Sequence, residues 1–101
     1  MKAEFSIKKQ KKGGFELTVK GDLTVQHCLG FKDSITTLLS HDGELSISMN
    51  AVQAIDISAI QLLLAFDKMC KEKSKPRSIN WPESQAVNDL LDKTGVKLIF
   101  G

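Results

Sequence analysis

The chain has few of the residues that would mark a metal site or a redox centre. Its 101 residues include only two cysteines, Cys28 and Cys70, and two histidines. The two cysteines lie far apart on predicted helices, and no Cys-x-x-Cys pair or Cys/His cluster accompanies them. We therefore expect no metal site and no cofactor, and we interpret both cysteines as small buried thiols.

Long apolar runs are also missing. No stretch approaches the roughly 20 apolar residues that cross a bilayer, and residues 1–9 contain no signal-peptide core. The net charge of +2 gives no argument for binding nucleic acid or a membrane. We expect a cytoplasmic protein that is not inserted in a membrane and has no nucleic-acid partner.

The sequence also lacks the common motifs of enzymatic catalysis. The sequence contains no glycine-rich phosphate loop, no paired histidine and carboxylate, and no nucleophile elbow. We expect no catalytic residues and no enzymatic activity. The length and the 42% hydrophobic content instead predict one compact domain over residues 1–101.

Hydrophobic periodicity predicts five strands and three helices in the order β-β-α-β-α-β-α-β. Alternation predicts strands at 3–9, 15–19, 44–50, 78–81 and 96–100. Helical spacing predicts one helix from near Val25, capped by Thr24, a second from Ile57 to Lys71, and a third from a Ser84 cap to Gly95. Strands alternating with helices after an opening hairpin imply an α/β fold with a mixed sheet.

Charge is concentrated at the predicted turn of that hairpin. Four lysines surround it, Lys8, Lys9, Lys11 and Lys12. We interpret them as a solvated turn, with contact to an acidic partner as the alternative.

The most informative stretch is residues 54–64, where a predicted strand gives way to the second helix. A short acid, Asp56, and a hydroxyl, Ser58, sit at this junction. Helix N-termini carry unpaired N–H groups and a partial positive charge, which suits a phosphorylated or anion-binding residue. The alternative is that Asp56 only caps the helix and Ser58 is an ordinary early-helix residue.

Three motifs in this order resemble the STAS domain family, which includes bacterial anti-sigma factor antagonists and STAS subunits of transport and chemotaxis systems. The motifs are Gly21-Asp-Leu-Thr24, then Ile55-Asp-Ile-Ser-Ala-Ile60 with Gln61-Leu-Leu-Leu64, and Ser84-Gln-Ala-Val87 through Leu90-Leu91 to Thr94-Gly95-Val96. The resemblance covers essentially the whole chain and implies a STAS-like mixed sheet of about five strands with three helices. The fourth, C-terminal helix of many members is expected to be missing, because the predicted fifth strand reaches Phe100.

The resemblance also implies a site. In many members a serine or threonine at the position of Ser58 is phosphorylated by a partner kinase. It implies phosphorylation of Ser58 and a partner-binding surface made of Asp56, Ile57, Ser58, Ala59, Gln61 and Leu62. The chain departs from the family pattern at Ile57, where serine or threonine is frequent, and at Ala59, where glycine is frequent.

Three functions follow from these observations. The first is a non-catalytic bacterial regulatory domain that binds a kinase-like anti-sigma factor or switch protein and is released by phosphorylation of Ser58. The second is a constitutive STAS subunit of a phospholipid-transport ATPase or a chemotaxis system. The third is a small-ligand sensor, which requires a cavity that the sequence cannot reveal.

Overall fold

The computed structural model describes residues 2–100 and contains one mixed sheet with helices packed on it. Its four strands lie in the spatial order β1-β2-β3-β4, with β1 antiparallel to β2 and the other pairs parallel. The strands are β1 (Ala3–Lys9), β2 (Phe15–Leu23), β3 (Leu45–Ile55) and β4 (Arg77–Asn80). The helices are α1 (Cys28–Leu39), α2 (Ile57–Glu72), α3 (Gln85–Thr94) and α4 (Val96–Phe100), and a 3-10 turn, Val25–His27, precedes α1.

The parallel pairing of β2 with β3 decides where the loops meet. Leu23 at the end of β2 pairs with Ile55 at the end of β3. Carboxyl ends of parallel strands lie at the same edge of a sheet, so the connections into α1 and α2 start side by side. The residues after Leu23 and after Ile55 are therefore neighbours in space.

The two faces of the sheet differ sharply in chemistry. One row across the four strands is apolar, and its members pack in or against the hydrophobic core: Ile7, Leu17, Ile47 and Ile79. The adjacent row points to the other face and is polar throughout: Ser6, Thr18, Ser48 and Asn80. We call this second side the open face. Alternation of this kind is the expected signature of a sheet buried on one side only.

The predicted fifth strand is wrong, because residues 96–100 form the short helix α4. The described residues therefore form four strands and four α-helices, and the expected absence of a fourth, C-terminal helix is wrong as well. A strand would place Val96, Leu98 and Phe100 on one side. The helix places Val96 and Phe100, four residues apart, on the inner side and leaves Leu98 85% exposed. The Phe100 ring packs against Phe66 of α2, with ring centroids 6.4 Å apart, and against Trp81 at 5.8 Å.

A buried charge cluster also holds α4 in place. Asp67 of α2 is buried and contacts the guanidinium of Arg77 on β4, while Lys71 lies 3.2 Å from its second oxygen. Arg77 Nη2 donates to the carbonyl of Ile99 at 3.1 Å, and its guanidinium lies 5.3 Å from the centroid of the Phe100 ring. Because a buried carboxylate is stable only when paired, this cluster ties α2, β4 and α4 together.

Two adjacent glycines in the hairpin turn provide a stability test. Gly13 and Gly14 have φ values of +90° and +85°, but only a Cβ on Gly14 would meet a neighbour, at 2.2 Å from the Glu44 carbonyl oxygen. We expect Gly13→Ala to lose roughly 1–2 kcal/mol of unfolding free energy, the cost of a left-handed backbone. Gly14→Ala should lose about 2 kcal/mol more from overpacking. Equal losses in urea unfolding would contradict this packing.

Candidate functional site

Asp56 caps α2 as the sequence predicts. It has an extended backbone, with φ −133° and ψ −177°, and its Oδ1 accepts a hydrogen bond from the backbone N–H of Ser58 at 3.0 Å. This bond satisfies one of the N–H groups that the first turn of a helix leaves unpaired.

The second carboxylate oxygen of Asp56 binds the start of the 3-10 turn, Val25–His27, which is the first helical segment of the chain. Oδ2 accepts from the backbone N–H of Val25 at 2.8 Å, and the N–H of Asp56 donates to the Leu23 carbonyl at 3.3 Å. Thr24 was expected to cap this segment, but its side chain makes no cap hydrogen bond. The side-chain acceptor at this start is instead the Asp56 carboxylate, and α1 itself begins only at Cys28.

Ser58 completes the arrangement. Its Oγ donates a hydrogen bond to Asp56 Oδ1, so one carboxylate accepts from a hydroxyl and from both helical connections. The Ser58 hydroxyl is the main cause that lowers the pKa of Asp56, the backbone N–H groups of Val25, Ala59 and Ser58 lower it further, and partial desolvation opposes them. Asp56 is therefore ionised at neutral pH.

Exposed apolar side chains surround this turn. Val25, Leu29 and Ile57 are 69%, 70% and 62% exposed, and we call these three residues the apolar patch. Beside it lies a shallow groove of about 360 Å³ whose lining includes the Ser58 side chain; the lining residues are Cys28, Leu29, Lys32, Ser58, Gln61 and Leu62. Large apolar groups that stay in water next to a polar turn are typical of a protein-binding surface.

The sequence matches the model of a known domain family. A family model described as "Mlab, STAS domain" matches residues 8–99. The chain belongs to the STAS domain family. A search of curated proteins found no match.

Solved structures support the fold of this STAS domain. The unphosphorylated anti-sigma factor antagonist SpoIIAA is 16% identical, with a TM-score of 0.74 over 92% of this chain and 82% of that one. The phosphorylated form of SpoIIAA, a Bacillus cell fate determinant, is 12% identical, with a TM-score of 0.68 over 94% and 86%. The STAS domain of an anti-sigma factor antagonist from Rhodobacter sphaeroides is 17% identical, with a TM-score of 0.60 over 77% and 85%. At these identities the likeness shows the fold alone.

Five of the six residues that the STAS resemblance suggested lie at the surface. Ile57 and Gln61 are exposed, and Asp56, Ser58 and Leu62 are half-buried. Ala59 is 1% exposed and belongs to the core, so its side chain is not part of the accessible surface. It comes three residues after the cap and lies on the inner side of the first turn of α2.

The sequence reasoning missed Val25 and Leu29, which complete the surface. They stand one turn apart, on the side away from the core residues Phe31 and Ile35 of α1. The signal available in the sequence was an apolar pair at i, i+4 spacing that lies off the apolar face formed by Phe31 and Ile35.

The described part of the STAS domain lacks two further kinds of feature. Within residues 2–100, no group of three or more His, Cys, Asp or Glu side chains is placed to hold a metal ion. Across that same range, none of the helices is both long and apolar enough to cross a bilayer.

Removal of the Asp56 carboxylate tests its double role. We expect Asp56→Ala to lose about 2 kcal/mol of unfolding free energy, because it removes a helix cap and the bond to Val25. Ser84→Ala is the matched control, since Ser84 only caps α3 by accepting from Val87 N–H at 3.4 Å, and it should lose about 1 kcal/mol or less. Amide hydrogen exchange at Val25 should accelerate only in Asp56→Ala; unchanged exchange there would contradict the Val25 bond.

The lowered pKa of Asp56 predicts a pH dependence of stability. A carboxyl with a depressed folded-state pKa contributes stability above its unfolded pKa of about 3.9 and loses it as pH falls through the folded-state value. The stability difference between the natural protein and Asp56→Asn should therefore be constant from about pH 5 to 8 and shrink below about pH 4. Urea unfolding across this range measures it, and a difference that persists in strong acid would refute the assignment.

Proposed function

We propose that this STAS domain is a non-catalytic bacterial regulatory domain of the antagonist type, working in the cytoplasm without a cofactor. It binds a kinase-like anti-sigma factor or switch protein, and phosphorylation of Ser58 releases that partner. The observation that carries the proposal is the apolar patch beside the Asp56–Ser58 turn.

The chemistry of this surface supports a protein partner. The patch offers three large apolar side chains, and the adjacent groove offers Gln61 and half-buried Leu62. Fully desolvated apolar contacts with a polar rim are the usual anchors of protein interfaces. Lys32, at the edge of the groove, suits an acidic residue on the partner.

Phosphorylation would alter the site through Asp56. The kinase would transfer the γ-phosphoryl group of ATP to Ser58 Oγ, which loses its proton as ADP leaves. The modified oxygen can then no longer donate to Asp56, and about −1.5 to −2 charges arrive beside an ionised carboxylate. Because the same carboxylate accepts from Val25, repulsion of Asp56 would disturb the apolar patch directly.

The α2 N-terminus favours such a modification. Its first turn contains no other acidic side chain, so the partial positive charge of the helix end is available to a phosphate. The switch would thus act on the partner surface without unfolding the domain.

Phosphorylation is tested by incubating the protein with a candidate kinase-like partner and ATP. We expect mass spectrometry to place one phosphate on Ser58, none on the Ser58→Ala variant, and Ser58→Asp to bind the partner at least about tenfold more weakly. Phosphate found only elsewhere, together with full binding by Ser58→Asp, would refute the switch.

The partner surface is tested with two exposed leucines. Leu29→Asp should weaken partner binding by tenfold or more, because it places a charge in the centre of a desolvated contact. Leu98→Asp is the matched control, since Leu98 is also a highly exposed leucine but lies on α4. Equal effects of the two variants in a titration would rule out the patch as the docking surface.

The second candidate is a constitutive subunit of a phospholipid-transport ATPase or a chemotaxis system. The observation that favours it is the engagement of the Ser58 hydroxyl, which is half-buried and bonded to Asp56 beside the apolar Ile57. Here Ser58 acts by hydrogen bonding alone. Recovery of a transport ATPase or a receptor-associated kinase in a pull-down that Ser58→Asp leaves unchanged would support this candidate.

A further inference from the structure

Four of the fourteen basic residues of the chain lie around the β1–β2 turn. Lys8, Lys9, Lys11 and Lys12 lie within five residues, and we call these four the basic tip. Without them the chain would carry ten basic and twelve acidic side chains instead of fourteen and twelve. The basic tip therefore reverses the sign of an otherwise acidic domain.

The basic tip lies at the opposite end of the sheet from Ser58. Phe15, which follows the turn, pairs with Leu45 at the start of β3, whereas Leu23 pairs with Ile55 beside the Asp56 cap. The nine residues of β2 span roughly 30 Å. A partner on the apolar patch would therefore leave the basic tip free.

The backbone of the basic tip is held in place while its side chains are exposed. Gln10 N–H donates to the Gly14 carbonyl at 2.9 Å, and Gly13 N–H donates to Gln10 at 3.1 Å. Phe15 N–H donates to the Glu44 carbonyl at 2.9 Å, which ties the turn to the start of β3. All four lysine side chains are exposed around this turn.

The surroundings of the tip indicate which anion it suits. A groove of about 620 Å³ is lined by the four lysines of the basic tip together with Glu16 and Glu44. Glu16 Oε2 accepts from Ser46 Oγ at 3.3 Å and from Asn80 at 3.4 Å, which holds the acid in the groove. The two carboxylates offset part of the lysine charge inside the groove and weaken its attraction for a small acidic group, whereas a broad anionic surface interacts with all four exposed lysines at once.

The residue types agree with a flat partner. Residues 8–14 contain no arginine and no aromatic residue. They therefore lack the planar fork that binds a phosphate or carboxylate bidentately and the rings that stack on bases. Four flexible point charges respond to surface charge density rather than to a particular group.

We propose that the basic tip docks this domain on the surface of an anionic lipid bilayer. The binding is peripheral, reversible and electrostatic, with no inserted side chain. It holds the domain at the membrane with the Ser58 end of the sheet directed away from the lipid. The proposal does not depend on phosphorylation of Ser58.

The test is co-sedimentation with vesicles. The protein should bind phosphatidylcholine vesicles that contain phosphatidylglycerol, fail to bind pure phosphatidylcholine vesicles, and dissociate as salt is raised. The triple substitution of Lys9, Lys11 and Lys12 by glutamine should weaken partitioning onto the vesicles roughly 100-fold, because each lysine removed should cost about fivefold in affinity. Urea unfolding confirms that this exposed triple variant remains folded.

A matched control separates a local surface from overall charge. The variant Lys68→Gln/Lys73→Gln/Lys93→Gln removes the same amount of charge from exposed lysines elsewhere. Lys68 lies on α2, Lys73 directly after α2 and Lys93 on α3. This variant should keep most of its binding to the vesicles. Equal losses in the two triple variants would overturn the proposal, as would failure of the natural protein to bind anionic vesicles at low salt. Stronger binding to soluble polyglutamate than to vesicles would overturn it in favour of an acidic protein partner.

Discussion

The hydrogen bonds of the Asp56 carboxylate are the constraint on which this end of the molecule depends. One side chain accepts from the first turn of α2 and from Val25, 31 residues earlier in the chain. It does so because the pairing of Leu23 with Ile55 brings the two connections together. The first helical segment has no side-chain cap of its own, at Thr24 or at His27, so its start relies on a residue beyond the next strand. One carboxylate thus links the 3-10 turn that precedes α1 to the first turn of α2.

Much of the fold could be predicted because the relevant signals are local. Ser84 caps α3, Gly95 ends it with a φ of +74°, and Asp56 caps α2, each as its residue type suggests. The first three strands follow from alternation, since the sheet has one apolar and one polar side. The α/β fold followed from the order of these elements, and the resemblance to the STAS family rested on three sequence motifs together with that order.

The predictions that failed concern long-range contacts. Residues 96–100 have the composition of a strand, but contacts of Phe100 with Phe66 and Trp81 and the bond from Arg77 favour a helix. The burial of Asp67 has no signal in the local sequence, because its partner Arg77 comes ten residues later. The candidate site divides in the same way: Asp56 and Ser58 stand out locally, whereas Val25 and Leu29 join them only through the folded chain.

The open face has a consequence for how this domain can change over time. One row of this face crosses all four strands and lies outside the hydrophobic core; its members are Ser6, Thr18, Ser48 and Asn80. Surface substitutions of this kind typically alter stability by only about half a kcal/mol. The four positions of this row therefore tolerate substitution at little cost in stability. A new recognition surface could arise there by drift while the helices, the core and the Asp56 junction stay intact.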